Sequence, residues 1–293
     1  MGTPAICTEH LTKYYGSARG IVDVSLTVDE GDFFGFIGPN GAGKSTTIRT
    51  LLGLIFPTSG SASVLGSDII RDKTEVLRNV GYLPSETSFY PNMKVSDMIS
   101  YASRLRGVDC GNEASALCSR FGLDTSRHIG ALSLGNRKKL AIVLALAHKP
   151  RLYILDEPTS GLDPLMQNEF FEVMKERCDE GATVFLSSHI LGEVARYCRH
   201  AAVIRDGGII AVDSVENLAH TGTKYVTLRD VDRTPSFDGI GDLTSDCGVT
   251  KFLYNGDPAT LVKELSHYSF SDLSVRDPAL EEVFMHYYEK EGK

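Results

Sequence analysis

The 293 residues suffice for one large domain and a small one, and 42% of them are hydrophobic. A formal net charge of -8, from 30 basic and 38 acidic residues with no long basic run, argues against a protein whose main task is to hold nucleic acid. No run of eighteen apolar residues is present, so no membrane-spanning helix is expected. The start, Met1-Gly2-Thr3-Pro4-Ala5 leading into Glu9 and His10, lacks the pattern of a signal peptide. Six cysteines are scattered without a Cys-x-x-Cys pair, which supports neither a zinc site nor a disulfide framework.

In chain order, Ile21, Val22, Val24, Leu26 and Val28 alternate with polar residues towards the turn at Asp29-Glu30-Gly31-Asp32, which predicts antiparallel strands. Asp32-Phe33-Phe34-Gly35-Phe36-Ile37 is a short apolar run that reads as a buried strand. It runs directly into Gly38-Pro39-Asn40-Gly41-Ala42-Gly43-Lys44-Ser45, a complete phosphate-binding loop. Gly38, Gly41 and Gly43 let the backbone curl so that successive N–H groups point at a di- or triphosphate. Lys44 reaches the β and γ phosphates, and the Ser45 hydroxyl is suited to Mg²⁺. Ser45 and Thr46 open a helix with Ile48, Leu51, Leu52 and Ile55 on one face, which sets the nucleotide's charge at a helix N-terminus.

Phe56 to Ser61 reads as a turn before short strands around Ala62 to Leu65. Helical periodicity then dominates Val95 to His148, with Ser96 expected to cap one helix and Ser133 another, the latter ended by Pro150. Leu152-Tyr153-Ile154-Leu155 is a buried strand that delivers Asp156 and Glu157 to the sheet edge where the phosphate loop opens. Asp156 is placed to hold Mg²⁺, and Glu157 is the candidate general base that activates water. Strands at 183–186 and 201–204 follow, and His189, just past the first, lies at the same edge, within reach of the γ-phosphate or of Glu157. Strands alternating with helices indicate an α/β layered core.

Composition shifts near Asp213 to Gly222. Beyond it, Lys224 to Leu228 alternates as a strand, and Asp257-Pro258 opens a helix carrying Leu261, Val262 and Leu265. Asp277-Pro278 opens another, with Leu280, Val283, Phe284, Tyr287 and Tyr288 in one apolar stripe that fits either internal packing or a dimer contact. The expected division is an ATP-binding domain over 1–215, with a helical subdomain over about 88–150, and a small α+β domain over 216–293.

Taken together, these motifs resemble the nucleotide-binding subunits of ABC transporters over nearly all of residues 4 to 215. The family's elements stand in order: the phosphate loop 38–45, a signature segment Leu132-Ser133-Leu134-Gly135-Asn136, the strand 152–157, the turn Ser160-Gly161-Leu162-Asp163, and the switch histidine His189. The resemblance implies a P-loop NTPase core of ABC type with an antiparallel β subdomain and a helical subdomain, using ATP and Mg²⁺. Tyr15, beside Tyr14, falls where the family stacks an aromatic ring on adenine. The resemblance further implies a head-to-tail dimer, of identical or different nucleotide-binding subunits, in which Ser133 and Gly135 of one chain meet the γ-phosphate held by the other. It implies a separate integral membrane permease as partner and a cytoplasmic position peripheral to the membrane. The single nucleotide module and the ending Leu280-Glu281-Glu282-Val283-Phe284 look like the exporter branch associated with drug or antibiotic efflux.

The pattern departs from the family at Leu134 (usually glycine), Asn136 (glutamine), Lys139 (often arginine) and Ser85 (commonly glutamine). Leu134 adds bulk near the expected phosphate path, and Ser85 is too short to reach Mg²⁺, with Glu86 the neighbouring substitute. Phe89, Tyr90, Met93 and Val95 supply either permease contacts or plain core. The alternatives to a transporter subunit are a soluble ABC-type ATPase acting on ribosomes or DNA, and a nucleotide-switched binding module whose catalysis has decayed. The chain has neither the second nucleotide module nor the basic linker that the first would carry.

Overall fold

A computed structural model describes residues 4–219 and 223–277. They divide into two compact units, Met1–Asp213 and Ser214–Lys293.

The first unit opens with β1 (Ile6–Tyr15) and β2 (Ala18–Val28), then β3 (Phe33–Ile37), α1 (Lys44–Leu51), β4 (Ser59–Val64), β5 (Ser67–Asp68), α2 (Lys73–Asn79) and β6 (Val80–Leu83). Three helices follow, α3 (Val95–Arg106), α4 (Gly111–Arg120) and α5 (Leu134–Leu146), and then β7 (Leu152–Asp156), α6 (Pro164–Asp179), β8 (Thr183–Ser188), α7 (Leu191–Tyr197), β9 (His200–Arg205) and β10 (Gly208–Ser214).

Two sheets result. The first, in order β2-β1-β4-β5, is antiparallel and carries the alternating pattern of the N-terminal residues, with Ile21, Val24, Leu26 and Val28 buried. The second runs β10-β9-β3-β8-β7-β6, and from β9 to β6 every pairing is parallel. Its central strands are buried on both faces, as their continuous apolar runs require. Phe36 and Phe185 pack with ring centroids 5.3 Å apart, and one core cluster joins both sheets to α1 through Ile48, Leu51 and Leu52. Parallel register carries the C-terminal ends of β3, β7 and β8 to one edge, with Ile37 opposite Ser188 and Asp156 opposite Ser187.

Local departures from the sequence reading have identifiable causes. Ser59 to Ser61 belong to β4 rather than a turn, because Thr12 and Glu9 of β1 pair with Ser59 and Ser61 while Gly60 takes φ of 80° between them. Helix α1 ends before Ile55, which lies beyond Gly53 in a left-handed conformation. Ser96 does not cap α3, which starts at Val95. The N–H groups of Val95 and Ser96 are instead taken by the carbonyls of Arg127 and Thr125. Ser133 does cap α5, its hydroxyl accepting from Asn136 N.

The second unit comprises α8 (Val215–Ala219), β11 (Thr223–Arg229), β12 (Ile240–Asp246), β13 (Val249–Asn255), α9 (Pro258–Leu265) and β14 (Asp272–Arg276). Its sheet, β12-β13-β11-β14, is antiparallel and packs Val226, Leu228, Phe252 and Tyr254 against Leu261 and Leu265 of α9. Asp257 caps α9, accepting from Thr260 N at 2.9 Å, with Pro258 in the first turn. Val262, on the same helix, is 67% exposed, one step off the Leu261–Leu265 line. The helix expected after Asp277 lies outside the described residues.

Candidate nucleotide site

The phosphate loop spans the gap between β3 and α1 and owes its path to glycine. A Cβ at Gly38 would lie 2.4 Å from Ile204 O, and Gly43 takes φ of 112° with Ile21 Cγ2 2.8 Å from where a Cβ would be. No other residue type fits either position without displacing β9 or β2. Pro39 and Ala42 close a tight turn, Ala42 N donating to Pro39 O at 3.1 Å. Lys44 is buried, and its Nζ donates to Gly38 O at 2.7 Å and Pro39 O at 3.2 Å. A cleft of about 200 Å³ is lined by Tyr15, Asn40, Gly41, Gly43, Lys44, Ser45, Thr46 and Glu157, with Arg19 and Gly20 at its side. Tyr15 thus shares one cavity with the phosphate loop, and Lys13 Nζ lies 5.4 Å from the centre of its ring.

The carboxylates stand opposite. Asp156, the last residue of β7, is fully buried. One of its oxygens accepts from Ser187 Oγ at 2.6 Å, and the other has no hydrogen-bond partner among the described residues. A buried carboxylate oxygen left in that state costs free energy unless a cation or water meets it. Together with Ser45 in the adjoining cleft, this oxygen donor set suits a hard divalent ion such as Mg²⁺.

Glu157 lies just past the strand with φ of 47°. That conformation costs a non-glycine residue about 1 kcal/mol or more. Its peptide is held at both ends: the N–H donates to Ser187 O at 3.1 Å, and the carbonyl accepts from Ser160 N at 3.3 Å and Lys138 Nζ at 3.2 Å. This turn aims the carboxylate back at the loop, where Oε1 lies 3.4 Å from Lys44 Nζ and 3.2 Å from His189 Nδ1. His189 is steadied through its neighbour. Ser188 Oγ donates to Glu193 Oε2 at 2.8 Å and accepts from Ile190 N at 2.9 Å.

Ser133 and Gly135 do not join this group within the chain; they stand at the exposed start of α5. Leu134, between them, is 70% exposed and lies next to Gly161. Asp163, at the end of the Ser160–Asp163 turn, caps α6 by accepting from Met166 N. Glu86 is exposed, and Ser85 offers its backbone carbonyl to Lys138. Of the four residues weighed as permease contacts, Val95 is buried core and Tyr90 is 65% exposed.

Lys138 was not legible from motif spacing. It is buried on α5, and burial lowers its ammonium to about 8, while the charges of Asp156 and Glu157 pull the other way. In the sequence it stands between Arg137 and Lys139, just before the apolar positions that begin at Leu140, and looks like one charge of an exposed run.

A six-stranded sheet with a phosphate loop, a paired carboxylate edge and a nearby antiparallel sheet is the architecture of an ATP-binding cassette. Residues 21–160 match the family described as ABC transporter. The chain is 37% identical over 230 residues to the bacitracin transport ATP-binding protein BcrA of Bacillus licheniformis, covering 76% of this chain and 74% of that one. It is 31% identical to the uncharacterized ABC transporter ATP-binding protein YhaQ of Bacillus subtilis, over 94% of this chain and 96% of that one. A solved structure of an ATP-binding subunit of an ABC transporter superposes with a TM-score of 0.70 at 31% identity, covering 74% of this chain and 92% of that one. The protein belongs to the ABC transporter family. It is an ATP-binding, ATP-hydrolysing subunit, in a family whose members typically dimerise and pair with a membrane permease. No helix among the described residues is long and apolar enough to cross a membrane.

Proposed function

We propose that this subunit powers export by a separate membrane-spanning permease, through ATP-driven closure of a dimer of nucleotide-binding subunits. The observation that carries the reading is the meeting of Lys44, Glu157 and His189 on one carboxylate oxygen, beside the buried, half-satisfied Asp156. In this reading the N–H groups of residues 38–46 cradle the phosphates, and Lys44 turns from its loop carbonyls to the β and γ oxygens. Ser45 and Asp156 hold Mg²⁺, which when bound offsets phosphate charge. Glu157 orients and deprotonates the attacking water, His189 steadies it and contacts the γ-phosphate, and Tyr15 stacks on adenine.

The exposed Ser133 and the half-buried Gly135 at the head of α5 complete the site of a facing subunit, identical or different. Loss of the γ-phosphate on hydrolysis removes what joins the two chains, so the cycle does mechanical work on a partner. An apolar groove of about 640 Å³ between α2, α3 and α5, lined by Leu77, Val80, Tyr82 and Leu105 with Arg78 and Arg106, offers a place for a permease segment. The chain then acts on the cytoplasmic face of the membrane. Similarity to the bacitracin transport protein favours efflux of a drug- or antibiotic-like cargo.

Affinity purification from detergent-solubilised native membranes, with the stoichiometric partners identified by mass spectrometry, tests this. A multi-spanning membrane protein is the expected partner. Recovery of ribosomes or DNA-associated proteins without one would overturn the reading in favour of a soluble ABC-type ATPase.

A further inference from the structure

Lys138 stands in the second turn of α5, five residues past Ser133, and only 5% of it is exposed. Its Nζ donates to Glu157 O at 3.2 Å, Ser85 O at 3.4 Å and Pro84 O at 3.5 Å. An ammonium has three protons, so these acceptors saturate it. They belong to separate segments: two follow β6, and the third is the peptide that sets the left-handed turn of Glu157.

A buried charge is unfavourable unless it is fully paired, and an apolar side chain of similar length would fill the same space without that cost. What an apolar side chain would not do is tie three backbone segments to one point. Ser85 gives this segment only a short hydroxyl side chain. The segment is joined to the catalytic edge through its carbonyls and Lys138 instead.

We propose that Lys138 is a positioning residue for ATP hydrolysis: it clamps the Glu157 peptide and the 84–85 segment to α5, so that the helix headed by Ser133 and the catalytic carboxylate move together. The proposal rests on Glu157 acting as the base. It assigns Lys138 no contact with nucleotide or metal. Removing the clamp therefore leaves ATP affinity in place and loosens the aim of the carboxylate.

The test uses the full chain with K138M and K138Q, reading steady-state ATPase kinetics and amide hydrogen exchange. K138M is expected to lower kcat about 10- to 100-fold with KM for ATP changed less than about twofold. K138Q, which keeps two N–H donors, falls between K138M and wild type. Exchange at the amides of Glu157 and Ser160 speeds up in K138M, while the amides of α5 stay protected, which shows that the helix is still folded. A K138M protein with wild-type kcat, or with kcat loss matched by loss of ATP affinity, or with unchanged exchange at Glu157 and Ser160, overturns the proposal. Failure of the base assignment would show separately, as hydrolysis that survives Glu157→Gln, whereas the exchange measurement reads the clamp itself.

Discussion

His189 Nδ1 and Lys44 Nζ approach the same oxygen of Glu157, at 3.2 Å and 3.4 Å, from just past β8 and from the phosphate loop respectively. Both contacts fall on one carboxylate oxygen, and in the proposed mechanism the other meets the attacking water. Glu157→Gln keeps the shape of the side chain and removes its basicity. Hydrolysis is expected to fall at least about 100-fold while ATP binding persists. The ATP-bound dimer should then accumulate, seen as a shift to double mass on size exclusion with ATP. Phosphate release at the wild-type rate in this variant would sink the assignment.

Lys44 makes the complementary case. It is buried with its ammonium on the carbonyls of Gly38 and Pro39, so the charge is already oriented along the loop. Lys44→Ala removes a charge-assisted bond to phosphate, a loss of about 1.5 to 3 kcal/mol or about 10- to 100-fold in ATP affinity. Titration with a fluorescent ATP analogue measures it directly. Affinity within twofold of wild type would contradict a phosphate role for this residue.

Leu134 projects from the head of α5 with 70% of its surface exposed, beside Gly161. In the proposed dimer that surface meets the facing nucleotide, where a leucine adds bulk and removes backbone freedom. Leu134→Gly combined with Glu157→Gln is expected to dimerise with ATP several-fold more tightly than Glu157→Gln alone. Gly at this position costs the helix about 0.5 to 1 kcal/mol, a small loss for a capped helix of this length. Sedimentation velocity at graded ATP concentrations separates the two variants, and equal or weaker dimerisation in the double variant counts against a steric role for Leu134.

Much of this organisation was legible because its chemistry is local. A phosphate loop needs glycine where a Cβ would strike Ile204 or Ile21, and those glycines are visible as letters. An apolar run ending in Asp156-Glu157 places carboxylates at a sheet edge once the sheet is parallel. Lys138 was hidden because its partners, at 84–85 and 157, come from segments distant in the chain, and no spacing encodes that meeting. Ser96 misled for the converse reason. It is a good capping residue, but the carbonyls of Thr125 and Arg127 had already taken the first N–H groups of α3. Val262 shows the limit of periodicity in an eight-residue helix, where one apolar line, Leu261 and Leu265, is all that the sheet covers.

His148, just after α5, gives a pH test independent of nucleotide. Its Nε2 lies 3.3 Å from Val80 O. Burial lowers its pKa from 6.5 to about 4, helped by the nearby positive charge of Arg106. Between those two values the unfolded chain binds a proton that the folded chain does not, so stability rises with pH through this window and falls as acid is added. The contribution is flat above the unfolded value and reaches its full loss below the folded one. At about pH 5 the loss is on the order of 2 kcal/mol. His148→Gln has no such proton to take up. The difference in urea unfolding free energy, wild type minus H148Q, should therefore decline as pH drops from 6.5 towards 4. A difference that stays constant across that range would mean that His148 is not held neutral by its surroundings.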